Sequence, residues 1–384
     1  FKVKAEKFSN FEEFKRNYLK SFKNYERNLN EEFEEYKRVV NEEFNRYKKL
    51  IKAEWGKAEV SDFKKWVEYS KDFKVRKIVN FKTGEVKISV IAKNRKQAKE
   101  EILAALTDLL TENLRTAFKR DILDRRIEKR LKRLHINFVT GKPSSEPIIT
   151  FLYFKTYPKN KKVVIKKAKV LFSKAQKEVK LYKKKKIFTI KFKLPPNYLV
   201  KKAKEYLPTV RKIAKKRRLS EALILAIIHT ESWFNPLARS PIPAYGLMQV
   251  VPQTAGKDAT KFLYGQPLVL SPSFLYNPYN NVLVGTTYFY LLYYEYLKQV
   301  KDPRIRLYCA IAAYNGGIGR VLFVLTTTKD LNLAAKKLNR LSPEEVYAIL
   351  TSYRMPKETR EYLKKVLKRE RLYEQFLRKN NGEV

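Results

Sequence analysis

The chain has 384 residues, with 84 Lys and Arg against 39 Asp and Glu, giving a formal net charge of +45. That excess calls for an anionic partner or surroundings. A single cysteine, Cys309, excludes an internal disulfide, and one Cys with two well-separated histidines, His135 and His229, excludes a Cys/His metal cluster, so neither metal nor cofactor is expected. Apolar residues make up 44%, enough to fill the cores of two or three domains. No stretch has the apolar length of a signal peptide or membrane span.

The first 58 residues read as one long amphipathic helix. Phe11, Phe22, Phe33, Phe44 and Trp55 fall eleven apart, as do Phe14, Tyr25, Tyr36 and Tyr47, and again Tyr18, Leu29, Val40 and Ile51. Eleven residues in three turns keep one aromatic-rich stripe along a nearly straight helix. The stripe is expected to pack on the protein's own body or on a second copy. A membrane surface is the competing partner, since aromatics and lysines suit an interface. Nucleic acid is not expected, because the interspersed acids repel phosphate.

Residues 59–196 read as a small α+β domain with an antiparallel sheet. The segments 75–81 and 85–91, joined through Lys82-Thr83-Gly84, predict a β-hairpin. Asn94 caps a predicted helix with Ala98, Ile102, Leu106, Leu109 and Leu110 on its apolar face. A basic helical stretch follows over 115–134. Further strands are expected at 147–154, at 162–165, at 168–172 and at 187–194, the last closed by Pro195-Pro196. The lysines at 183–186 read as a solvated turn or sheet edge.

From 197 to 384 the pattern is almost wholly helical. One helix is expected over 198–218, broken or kinked near Pro208. Ser220 caps an apolar helix that ends at Glu231. Between Glu221 and Lys257 the only charged residues are Glu231 and Arg239. Ile224, Ile227 and Ile228 place Glu231 on the apolar side of its helix. A carboxyl there is either paired, with Arg239 or a distant Lys, or raised in pKa so that it can donate a proton near neutral pH. Asn280-Asn281 is read as the cap of a further helix. Asn315-Gly316-Gly317 stops another, and Ser342 and Pro356 open the last two.

Four phrases in order carry a resemblance: E-S-W-F-N-P (231–236), A-Y-G-L-M-Q (244–249), A-Y-N-G-G (313–317) and E-T-R-E-Y-L-K-K-V (358–366). Together they resemble the lytic transglycosylases related to goose-type lysozyme. Trp55-Gly-Lys57, Val79-Asn-Phe81, Thr83-Gly84 and Pro195-Pro-Asn197 extend the resemblance to the membrane-bound lytic murein transglycosylase C family, over roughly residues 50 to 370. The long repeat helix is read as an extension relative to that family.

The resemblance implies a lysozyme-like, mainly helical C-terminal domain. It also implies non-hydrolytic cleavage of the β-1,4 bond between N-acetylmuramic acid and N-acetylglucosamine. Glu231 would act as acid and then as base, giving a 1,6-anhydro product. Ser240, Met248, Gln249, Tyr314, Asn315 and Tyr362 take substrate-binding places from their motifs. His229, about 200° round the helix from Glu231, should face away. No second carboxylate is apparent, since Asp258, Glu295, Asp302 and Asp330 lie outside the motifs. The implied partners are peptidoglycan glycan strands and their stem peptides, whose carboxylates suit the basic chain. The implied location is the periplasm or cell envelope, with outer-membrane association. Family members are usually lipid-anchored at an N-terminal Cys that this sequence does not show. A hydrolytic muramidase and a non-catalytic wall-binding scaffold are the alternatives.

Overall fold

The computed structural model describes residues 31–134 and 138–380. Helix α1 (31–55) keeps the eleven-residue stripe inward. Tyr36, Val40, Tyr47, Ile51 and Trp55 are all buried on one side of it. They pack on Val67, Tyr69 and Ile78 of the sheet, on Leu123, Ile127 and Leu131 of a later helix, and on Val269 far down the chain. The stripe therefore belongs to the protein's own core over residues 31–55. The earlier part of the expected repeat, with Phe11, Phe14, Tyr18, Phe22, Tyr25 and Leu29, lies outside the described residues.

Five antiparallel strands form the N-terminal sheet. They are β1 (Lys65–Tyr69), β2 (Val75–Asn80), β3 (Glu85–Ile91), β5 (Gln176–Tyr182) and β6 (Lys185–Lys193), in spatial order β1-β2-β3-β6-β5. The expected hairpin is β2–β3. Asn80 Oδ1 accepts the Lys82 and Thr83 amides, and Gly84 supplies the left-handed residue with φ +67°. Lys183 and Lys184 form the β5–β6 turn with positive φ. One sheet face, including Val86, Ile88, Val90 and Ile190, packs on α2 (Arg95–Leu109), whose N-cap is Asn94. The basic stretch resolves into α3 (Leu114–Arg120) and α4 (Ile122–Leu131), split at Asp121, which caps the second.

Three of the expected strands are corrected, two of them by one helix. Residues 162–172 lie in α6 (Lys161–Lys174), capped by Asn160. The β-branched run Val163-Val164-Ile165 suggested a strand, but only Val164 and Ala168, one turn apart, are buried. Tertiary packing selects the helical period here. The run 147–154 is a bend leading into the short helix α5 (Thr150–Tyr153). Its main chain is satisfied elsewhere. Ile148 N donates to the Glu112 carbonyl at 2.9 Å, while the ammonium groups of Lys202 and Lys201 donate to the carbonyls of Ile148 and Leu152 at 3.1 and 2.9 Å. With those groups taken, the apolar run fills core without a ladder.

The C-terminal part begins with α7 (Tyr198–Arg217), which runs unbroken through Pro208. The remaining helices are α8 (Glu221–Ser232), α9 (Lys257–Tyr264), α10 (Pro272–Leu275), α11 (Pro278–Tyr290), α12 (Pro303–Gly316), α13 (Ile318–Thr326), α14 (Leu331–Leu338), α15 (Pro343–Thr351) and α16 (Lys357–Asn380). Single π-helical turns precede α9 and follow α11. A minor parallel pair, β4 (Phe138–Val139) with β7 (Val269–Leu270), joins the two parts of the chain. The cap of α11 is Asn277, with Pro278 in the first turn, and not Asn280-Asn281. Asn281 is instead fully buried inside that helix. The architecture is thus α+β, a mainly helical C-terminal part behind a small antiparallel sheet, and one continuous apolar core runs through both.

Candidate active site

Helix α8 is buried from Ala222 to His229, all the way round, so it is a central helix rather than a striped surface one. Ser220 Oγ accepts the Leu223 amide at 3.2 Å and fixes its start. At the other end Glu231 keeps partial solvent contact. Burial pushes its carboxyl up to about 8; the Tyr362 hydroxyl opposes that rise and the negative charge of Glu358 adds to it. Among the described residues no Lys or Arg forms an ion pair with Glu231. Arg239, the cation offered by sequence, is taken by Asp124 at 3.2 Å. The Tyr362 hydroxyl is buried beside the carboxyl without a hydrogen bond of good geometry to any group.

The chain leaves α8 through Trp233 and Phe234, both in the left-handed region at φ +55° and +60°. Gln249 returns at φ +46°. Three bulky residues in that region within one loop store strain, at about 1–3 kcal/mol each. Surrounding hydrogen bonds hold the loop. Ser232 Oγ donates to the Leu247 carbonyl at 2.7 Å, and the Gly246 amide donates to the Ala238 carbonyl at 2.8 Å. Asn281 completes the frame: its Oδ1 accepts the Met248 amide at 2.8 Å, and its Nδ2 donates to the carbonyls of Tyr245 and Leu275 at 2.7 and 3.0 Å. A Cβ at Gly246, where φ is +75°, would run into the Asn281 amide, which explains the glycine of the G-L-M-Q phrase.

The remaining phrases converge on the same place. Tyr314 Oη donates to the Met248 carbonyl at 2.9 Å, and the nearby Glu231 charge adds to the burial that raises the Tyr314 phenol. Asn315 Oδ1 accepts the Thr359 hydroxyl at 2.9 Å, tying the end of α12 to the start of α16. A Cβ at Gly316 would stand 2.8 Å from Thr359 Oγ1, so the glycine lets the two helices meet. Tyr362 lies one turn further along α16. The structure therefore gathers Tyr314 and Tyr362 round Glu231 and fastens Met248 and Asn315 to the same frame. Gln249 turns its Nε2 onto the Gly246 carbonyl at 3.0 Å. Ser240 sits apart, with its hydroxyl on the Ile242 carbonyl, lining a cavity of ≈ 430 Å³ shared with Lys48, Lys57 and Lys65 of the N-terminal part.

His229 packs among Trp233, Phe234 and Tyr373 at ring separations of 4.7, 5.7 and 5.9 Å. Burial pushes it down to about 3, so it stays neutral. Near the site, Glu358 is missed by sequence reasoning and Asn281 is read there only as a helix cap. Glu358 is the first residue of the last phrase, an acid inside a motif, unlike Asp258, Glu295, Asp302 and Asp330. Asn281 carried a signal too, as an amide among apolar neighbours in α11. A third feature escaped as well: Glu68, Asp108 and Glu112 converge in the N-terminal part. Lys77 Nζ sits among them, 2.6 Å from Glu68 and 2.9 Å from Asp108 and also bonded to Glu112, with Arg120 beside it. With two cations already seated, that cluster reads as an ion network rather than a metal centre.

Residues 208–350 match the family described as "Transglycosylase SLT domain". The chain carries an SLT domain. Residues 30–124 match "Membrane-bound lytic murein transglycosylase C, N-terminal domain". That match begins at residue 30 and takes in α1, so the described residues of the repeat fall within the matched region, while residues 1–29 precede it. Among curated relatives, membrane-bound lytic murein transglycosylase C of Serratia proteamaculans is 43% identical over 189 residues, covering 49% of this chain and 51% of that protein. The enzyme of the same name from Histophilus somni is 44% identical over 179 residues, covering 46% and 48%. The chain thus spans about half the length of the curated relatives it matches. The 70 kDa soluble lytic transglycosylase of Escherichia coli is a looser likeness, 17% identical with a TM-score of 0.35 over 73% of this chain and 44% of that one. The SLT match ends before α16, so Glu358, Thr359 and Tyr362 join the domain by packing. Among the described residues no helix is long and apolar enough to cross a membrane.

Proposed function

We propose that this protein is a peptidoglycan lytic transglycosylase. On this reading α1 and residues 59–196 make up its N-terminal domain, and residues 197–384 are its catalytic domain. The observation that carries the proposal is the state of Glu231. It is a partly exposed carboxyl, raised to about 8, with no ion-pairing cation among the described residues and with the buried Tyr362 hydroxyl beside it. At neutral pH such an acid is mostly protonated and is placed to give its proton to a glycosidic oxygen. Once ionised among apolar groups, it is a strong enough base to take a proton from the C6 hydroxyl of the muramoyl sugar. That oxygen then closes on C1, and the 1,6-anhydro product leaves. The proton given in the first step returns in the second, so no water is consumed.

The surrounding residues support the two steps. Tyr362 offers its hydroxyl to the reacting sugar or to the ionised Glu231. Met248, Gln249, Tyr314 and Asn315 form the frame beside it, and Ser240 lies on the wall toward the N-terminal part. The strongly basic chain suits a wall whose stem peptides bear carboxylates, and residence in the cell envelope follows from that substrate.

Glu358 favours a second reading, hydrolysis. A carboxylate close enough to raise Glu231 could orient a water on the opposite face of the sugar, as two-acid glycosidases do. Mass spectrometry of products from purified sacculi separates the two, since anhydro-muropeptides are lighter than hydrolysis products by one water. The expected result is anhydro products from the parent chain and none from Glu231→Gln, with wall binding retained. Undiminished release by Glu231→Gln would overturn the assignment.

A further inference from the structure

Two anchors hold the loop that follows Glu231. Asn281 fixes the Met248 end from within the C-terminal part, as described above. The Ser240 end is gripped from the other side. Arg239 is buried, and its Nη1 donates to Asp124 Oδ1 at 3.2 Å, with Asp121 Oδ2 at 3.9 Å. The second Asp124 oxygen accepts the Tyr276 hydroxyl at 2.9 Å. The guanidinium lies over the Phe44 ring at 5.3 Å, and the Arg239 amide reaches the Asp62 carbonyl at 3.5 Å. Asp121 and Asp124 open α4, Phe44 is on α1, and Asp62 precedes β1, so three separate N-terminal elements close on one residue of the loop.

The grip is passed on through the main chain. Arg239 is bridged to Tyr245, and Tyr245 to Val250. The Ser240 amide donates to the Ala244 carbonyl at 3.1 Å. Arg239 is thus one side of a small hairpin that displays Ser240 and leads into Met248 and Gln249. A buried ion pair adds little net stability over an apolar replacement of the same shape, so its chief effect is to fix geometry.

We propose that Arg239 and Asp124 are positioning residues, through which the N-terminal part sets the Ser240 side of the loop for the glycan. This rests on the lytic transglycosylase reading above. Neither residue touches the reacting atoms. Displacing this wall removes contacts made equally to substrate and transition state, so KM moves more than kcat.

The test uses the full chain with Asp124→Asn and Arg239→Lys. Turnover is measured on soluble glycan strands, with the thermal midpoint recorded alongside. The expected result for each folded variant is a KM raised about tenfold with kcat within about threefold of the parent. If a single variant does not fold, Asp124→Asn combined with Arg239→Gln removes both buried charges and is read in the same way. A folded variant with the parent KM overturns the proposal, as does a fall in kcat alone. Binding of glycan strands is measured in parallel in a Glu231→Gln background. If the parent chain releases no product, the enzymatic reading fails, and binding then decides: affinity weakened about tenfold by Asp124→Asn keeps the positioning role, and equal affinity overturns it.

Discussion

Tyr314 Oη meets the carbonyl of Met248 at 2.9 Å, and this one bond joins the A-Y-N-G-G helix to the return of the loop that leaves Glu231. The contact exists because Gly285 on α11 lacks a side chain. A Cβ there would stand 2.8 Å from both Cβ and Sδ of Met248 and 3.0 Å from Tyr314 Oη. Three elements therefore meet at a point with no room for a methyl group.

Gly285→Ala should displace Met248 and Tyr314 together. Overpacking of this kind costs about 1–3 kcal/mol of stability. Because the displaced groups frame Glu231, activity on sacculi should fall further than stability does, by about tenfold or more. Parallel thermal melts and product-release rates check this; a destabilised protein with parental turnover would show that the Met248–Tyr314 contact is irrelevant to catalysis.

Glu231→Gln should stabilise the protein at neutral and alkaline pH. The Glu231 carboxyl stands at about 8 in the folded chain against an ordinary 4.5, so the native state holds its proton more tightly than the unfolded chain does. Its favourable contribution is complete below pH 4.5 and is lost as pH rises to 8. Glutamine carries no such dependence. The two melting curves should coincide near pH 4 and separate upward. The gap should reach roughly 2–3 kcal/mol above pH 8, less than the full shift implies because the side chain keeps some solvent contact. A constant gap across that range would mean that Glu231 has an ordinary carboxyl.

The alkaline limb of the rate profile should report the same group, with an apparent value near 8. Tyr362 holds that value down and Glu358 holds it up. Tyr362→Phe should therefore move the limb to higher pH while lowering turnover. Glu358→Gln should move it to lower pH. Opposite displacements by two residues one turn apart on α16 would be hard to produce by general loosening. Displacement in the same direction, or none, would dissociate the limb from Glu231.

How far these features could be read from sequence depended on whether their cause was local. Ser220 and Asn94 announced their helices because a cap acts within three residues. Glu231 stood out because the chain around it carries almost no charge. The inward stripe of α1 was legible from its spacing alone. What failed was settled at long range. Val163-Val164-Ile165 has strand propensity, yet it is helical because Val164 and Ala168 fill space beside α2. Ile148 lost its place in a sheet to Glu112 and Lys202, which lie 36 and 54 residues away. The pairing of Arg239 with Asp124 spans 115 residues and left the expected Glu231–Arg239 alternative without its cation.

Helix α1 does not stop at the sheet it covers. Glu32 on α1 holds Lys257 at 2.8 Å, and Val269 sits in the same apolar cluster as Tyr36. The helical C-terminal part is therefore not an interchangeable cassette. Grafted behind a foreign leader, it would arrive with an uncovered seam along α9 and β7, and any chimera meant to keep its shape should carry this helix across with it.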